Sequence, residues 1–169
     1  MSGKNEIIME FSSNSENESL ARTVISAFVA RLDPTLEELA DIKTAVSEAV
    51  TNAIIHGYEK NPGMVRMAAK IEDNVVSVEI SDTGAGIENL EKAMEPMYTT
   101  KPELDRSGMG FAFMEAFMDE LDVQSELGKG TTIHMKKTIY SAIHISSLPK
   151  RRGGENGNLR TNQTSTFRG

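Results

Sequence analysis

At 169 residues the chain has the length of about one domain, and its 18 Lys and Arg against 25 Asp and Glu leave a net charge of −7. That acidity argues against nonspecific nucleic-acid binding, which draws on basic surface, and the absence of cysteine excludes disulfides, thiolate metal sites and cysteine nucleophiles. With no Trp and only 5% aromatics the core must be filled by Met, Leu, Ile and Val, and three scattered histidines, His56, His134 and His144, offer no zinc spacing.

Ile7 to Phe11 reads as a first strand. Ser15 and Glu18 have capping-box spacing ahead of a helix with apolar positions at Leu20, Val24, Ala27 and Phe28. Asp33-Pro34 restarts the helical pattern, with Asp33 expected as N-cap and Pro34 at the first helical position. Leu36, Leu39, Ile42, Val46, Ala49, Val50 and Ala53 then carry a long helix to a stop at Gly57. Val65, Met67, Ala69 and Ile71 alternate with Arg66, Ala68 and Lys70 in a strand; Asp73-Asn74 marks a tight turn, and Val76, Val78 and Ile80 resume the alternation. A glycine-bearing turn at 82–86 leads to a short helix at 90–94 and a polar loop over 96–110. A helix over 111–119, a strand over 123–126 and a last strand over 131–139, after the Gly128-Lys129-Gly130 turn, complete the pattern.

This order predicts an α+β two-layer sandwich with helices on one face of a mostly antiparallel sheet, the other face being partly polar or paired with another subunit. Lys150 to Gly169 carries five Lys and Arg against one Glu, net +4, so the remainder stands at −11. Leu159 and Phe167 are its two large apolar residues, too few to offset the entropy of ordering. The expectation is a folded domain over 1–140 and a disordered basic tail over 141–169. No apolar run approaches the ~18 residues of a membrane span, and the first six residues lack the apolar core of a signal peptide; a soluble, cytoplasmic protein without membrane contact is expected.

Four pieces carry candidate chemistry. Glu48, Asn52 and His56 recur every fourth residue of the long helix and so share one stripe at the rim of its apolar face. An Asn carbonyl oxygen is a hard ligand suited to Mg²⁺, which takes its other oxygens from water and phosphates, and a nearby Glu can accept a proton from an attacking hydroxyl. Asp82-Thr83-Gly84-Ala85-Gly86 follows a strand directly; a carboxylate there can accept from an exocyclic amine, and the glycines let backbone approach a flat ring. Ser107-Gly108-Met109-Gly110 opens a helix, where backbone amides form a phosphate cradle. In Gly128-Lys129-Gly130-Thr131-Thr132 the hydroxyls could support the Asp82 carboxylate through a water. A Walker-type loop, a dinucleotide fingerprint, eukaryotic-type kinase motifs and a hydrolase nucleophile elbow are all missing from the sequence.

Taken in order, Glu48-x₃-Asn52-x₃-His56-Gly57, Asp82-x-Gly84-x-Gly86, Gly108-x-Gly110 and Gly130-Thr131 resemble the motifs of the GHKL ATPase superfamily, whose Bergerat fold is an α/β sandwich. Residues 15–22, 46–58 and 98–111 further resemble the anti-sigma serine kinases of endospore-forming bacilli. The resemblance implies an ATP and Mg²⁺ site with Glu48 as catalytic base, Asn52 on Mg²⁺, Asp82 on adenine, and Gly84, Gly86, Thr99, Lys101, Gly108, Gly110 and Thr131 around the nucleotide. It implies a lid over 96–110, on which Lys101 and Arg106 are the cations nearest the phosphates in sequence; Arg106 could instead dock a partner, as could Arg22, or both could be solvated charges. It also implies a homodimer that binds a sporulation sigma factor and phosphorylates a serine of a small anti-anti-sigma factor. A stress-response relative and an ATP-gated clamp with little turnover are the alternatives.

Overall fold

The computed structural model describes residues 3–59, 61–97 and 109–140. In chain order these form β1 (Asn5–Ser12), α1 (Glu16–Val29), a 3₁₀ turn (Ala30–Leu32), α2 (Leu36–Asn52), a π turn (Ala53–Gly57), β2 (Met64–Glu72) and β3 (Val75–Ser81). Then follow α3 (Leu90–Ala93), α4 (Gly110–Phe117), β4 (Glu120–Glu126) and β5 (Gly130–Thr138). The sheet order is β1-β2-β3-β5-β4, and every neighbouring pair is antiparallel. The expected two-layer sandwich is therefore observed. Thr99, Lys101, Arg106 and Gly108, together with the tail expected over 141–169, lie outside the described residues.

Alternation explains the inner layer. Val65, Met67, Ala69 and Ile71 of β2 and Val76, Val78 and Ile80 of β3 are all buried, and they share one core with Ile25 and Val29 of α1 and Ile42, Val46 and Val50 of α2. The two-residue turn at Asp73-Asn74 joins the strands, with Asp73 at φ +56°, the left-handed conformation a tight hairpin turn requires. On the opposite face the register sets Glu79 between Ala68 and His134. There Arg66 Nη1 donates to Glu79 Oε1 at 2.7 Å, and His134 Nδ1 lies 3.5 Å from Glu79 Oε2. That outer face is a polar mosaic.

Two helix starts differ from expectation. Ser15 has helical dihedrals and makes no cap with its side chain; Asn14 Oδ1 accepts from Glu16 N–H at 3.1 Å instead. Glu18 turns away to accept from the Ser47 hydroxyl on α2 and to pair with Arg22, so a tertiary contact displaces the local box. At α2 the cap is Thr35 rather than Asp33. Its Oγ1 accepts from Glu38 N–H at 3.1 Å while Glu38 Oε2 accepts from Thr35 N–H at 2.8 Å, a complete capping box. Asp33 instead ends the preceding 3₁₀ turn at φ +49°, in keeping with the disfavoured right-handed helical region before Pro34.

Lys137 of β5 fixes the far end of α4. Its Nζ lies 3.0 Å from Asp41 Oδ2 on α2 and donates to the Phe117 carbonyl at 2.7 Å. Sheet, α2 and the C-terminal end of α4 are thus held together, which sets where the N-terminus of α4 points.

Candidate functional site

Between the end of α2, the β3–α3 loop, α4 and β5 lies a cavity of about 320 Å³, within the range of small-molecule sites. Asn52, His56, Asp82, Gly86, Gly110 and Thr131 are among its walls.

α2 does not run to Gly57 as a plain α-helix. At Ala53 it widens into a π turn, with Tyr58 N–H donating to the Ala53 carbonyl at 3.2 Å. Such insertions recur at functional sites because they reorient one turn of side chains. Here Asn52, Ala53, His56 and Gly57 all face the cavity. Glu48, one turn earlier, is not part of its lining. It does meet the site at α4: a Cβ on Gly110 would lie 3.2 Å from Glu48 Oε2 and 3.3 Å from Asn52 Oδ1. A side chain at Gly110 would crowd the ends of both, so the first turn of α4 packs tightly against Glu48 and Asn52.

Asp82 follows β3 and is 8% exposed. Its Oδ1 accepts from Gly84 N–H at 2.9 Å, and its own N–H donates to the Thr131 carbonyl at 2.9 Å. Burial pushes the Asp82 carboxyl pKa up from its ordinary value, opposed by hydrogen bonds from the Gly84 and Thr131 backbones. A carboxylate has lone pairs beyond these two bonds, and one set in a cavity wall can accept from a ligand amine. Neighbouring Gly84 also has a task within the fold. It does not line the cavity; it crosses Gly57, where Ala85 N–H donates to the Gly57 carbonyl at 2.8 Å, and a Cβ on Gly84 would overlap that carbonyl. Gly86, at φ +71°, does line the cavity.

Of the two threonines after Gly130, only Thr131 reaches the site. It is 9% exposed, whereas Thr132 pairs with Gln124 and Ser81 on the outer face because adjacent strand residues point oppositely. Thr131 Oγ1 lies 2.8 Å from Ser125 Oγ, and Ser125 Oγ also accepts from Ile87 N–H at 2.8 Å. No motif marks Ser125. Its one sequence signal is a polar residue in phase with Leu121 and Val123 on the inward face of β4. Tyr58 is equally unannounced: its hydroxyl donates to the Met64 carbonyl at 2.6 Å and accepts from Thr83 N–H at 2.9 Å, clamping the residue after Asp82. Arg22 stands apart on α1, 3.5 Å from Glu18. Among the described residues no cluster of three His, Cys, Asp or Glu could hold a metal ion.

The histidine kinase-like ATPase domain family matches residues 11–137. An anti-sigma F factor from Geobacillus sp. (strain WCH70) is 60% identical over 137 residues, spanning 80% of this chain and 94% of the relative. The chain belongs to the anti-sigma F factor family. An anti-sigma F factor from Clostridium acetobutylicum (strain ATCC 824) is 59% identical over 134 residues, 79% of this chain and 94% of that one. Among solved structures, the RsbU and RsbW domains of Rv1364c from Mycobacterium tuberculosis superpose with a TM-score of 0.59 at 21% identity, covering 80% of this chain and 32% of that one. The histidine kinase domain of the Erythrobacter litoralis EL346 blue-light activated kinase gives 0.52 at 18% identity, covering 77% and 65%. These two agree on the fold, and the family joins an anti-sigma role to an ATP-binding, kinase-type domain. No helix among the described residues is long and apolar enough to cross a membrane.

Proposed function

We propose that the cavity binds ATP with its adenine toward Asp82 and Thr131 and its phosphates toward Asn52 and the first turn of α4. On this reading the protein is a cytoplasmic serine kinase that phosphorylates a small anti-anti-sigma partner and, as a homodimer, holds a sporulation sigma factor inactive. One observation carries it: Asp82, Thr131, Asn52 and Gly110 surround a single cavity, with Glu48 beside Gly110 at one end.

Each residue has a task set by its chemistry. The Asp82 carboxylate accepts a hydrogen bond from the six-amino group of adenine, which guanine lacks. The carbonyl oxygen of Asn52 would hold Mg²⁺, and the bound cation neutralises phosphate charge. Amides opening α4 receive phosphate oxygens, joined by Gly108, Thr99 and Lys101 from the lid. Glu48 orients the incoming serine hydroxyl and takes its proton. Catalysis is then mostly positioning and charge stabilisation. Arg22 and Arg106 are docking candidates for the protein partners, to be tested by charge reversal.

The test mixes the purified protein with labelled ATP and the small partner. Label on a serine of the partner is expected, and Glu48→Ala should abolish transfer while leaving nucleotide affinity nearly intact. ATP binding without any labelled serine would overturn the kinase reading in favour of an ATP-gated clamp.

A further inference from the structure

We propose that Ser125 is a positioning residue for base recognition, using one hydroxyl to hold Thr131 as a donor and to fix the cavity wall at Ile87. This rests on the adenine reading of the cavity.

Ser125 and Thr131 face each other across β4 and β5. Ser125 Oγ accepts from Ile87 N–H at 2.8 Å, lies 2.8 Å from Thr131 Oγ1, and can donate to the Gly130 carbonyl at 3.2 Å. A hydroxyl has one hydrogen and two lone pairs. Ile87 uses one lone pair, so one hydrogen and one lone pair remain for Thr131 and Gly130. Only two arrangements use them. In one, Thr131 donates to Ser125 and Ser125 to Gly130, which presents only an acceptor to the cavity. In the other, Ser125 turns its single hydrogen from the Gly130 carbonyl to Thr131, and the hydrogen of Thr131 is free for the cavity that Thr131 lines.

Adenine selects the second. Beside its amino group the base carries ring nitrogens that only accept, one on each flank. With Asp82 accepting from the amine, a Thr131 hydroxyl in direct contact with one of these nitrogens must donate. Asp82 and Thr131 cannot drift apart, because Asp82 N–H is bonded to the Thr131 carbonyl at 2.9 Å. Ser125 supplies the missing element: a hydrogen that commits Thr131 to donating, and an oxygen that ties Ile87, next to Gly86, to the same point. Its loss would leave the Thr131 hydroxyl free to rotate and the Ile87 N–H without this partner.

The experiment measures dissociation constants of ATP, 1-deaza-ATP and 7-deaza-ATP for the full chain and its Ser125→Ala and Ser125→Thr variants. Ser125→Ala is expected to weaken ATP by roughly three- to tenfold, the size of one neutral hydrogen bond. That penalty should shrink with whichever deaza analogue lacks the acceptor served by Thr131, a non-additivity characteristic of direct coupling, leaving only the part due to the Ile87 contact common to all three nucleotides. Ser125→Thr should restore most of the ATP affinity. An equal penalty for all three nucleotides would mean a merely structural role and overturn the proposal, as would no penalty with ATP. If Ser125→Ala does not fold, Ser125→Cys, close in size but weak in hydrogen bonding, carries the same comparison. Wild-type protein that fails to bind ATP would instead sink the adenine assignment itself.

Discussion

Asp82→Asn separates ligand recognition from stability. If the carboxylate accepts from the adenine amine, its replacement removes a charge-assisted hydrogen bond in a water-poor wall, worth about 1.5–3 kcal/mol. That corresponds to a roughly ten- to hundredfold rise in the ATP dissociation constant, measurable by calorimetry. Stability should move the other way with pH. Burial raises the folded-state pKa of Asp82 above its ordinary 3.8, so within the window above 3.8 the native state binds more protons than the unfolded chain. The contribution of Asp82 is fully present below 3.8 and is lost as pH rises through the raised value. The amide has no such titration. Urea melts of the nucleotide-free proteins should therefore show the variant gaining on wild type as pH climbs from below 3.8 toward neutrality. Any fixed cost of turning the Asn amide toward the Thr131 backbone would offset both ends equally and leave that slope intact. Unchanged ATP affinity, or a stability difference flat with pH, would refute the reasoning.

The close crossing at Gly84 predicts that Gly84→Ala, whose Cβ would overlap the Gly57 carbonyl, costs about 1–3 kcal/mol and depresses ATP affinity, read by thermal melts and calorimetry. Thr35→Ala should cost about 1 kcal/mol by removing a complete capping box, whereas Ser15→Ala should stay within about 0.5 kcal/mol; equal losses in urea would contradict the assigned caps. Asp41→Ala strips the carboxylate from Lys137, whose side chain is only 12% exposed. It should cost about 1–3 kcal/mol, and a neutral result would mean that the Phe117 carbonyl and solvent suffice.

The core was legible because strand and helix periodicities are local. Val65, Met67, Ala69 and Ile71 announce an inward face every second residue, and the structure buries all four. The cavity residues Asn52, Asp82, Gly110 and Thr131 were legible for another reason: their order along the chain matches a known set of motifs, although their spacing says nothing of how they meet. Capping at Ser15 was misread because the box assumes that Glu18 is free to fold back, and Ser47 on another helix claims it. The close crossing of Gly84 over Gly57 was not legible, since the two are distant in sequence.

The sequence alone determined the elements and their inward faces and pointed to candidate residues for nucleotide chemistry, because propensity, periodicity and side-chain type act over a few neighbours. Only the tertiary structure decided which of them converge. Strand pairing turned Thr131 inward and Thr132 outward, packing of α2 and its π turn put Asn52 and His56 on one cavity wall, and antiparallel packing set Ser125 against Thr131. Local alternation and helical spacing give the relative faces of these residues, but their meeting at one cavity depends on register and on contacts between segments far apart in the chain.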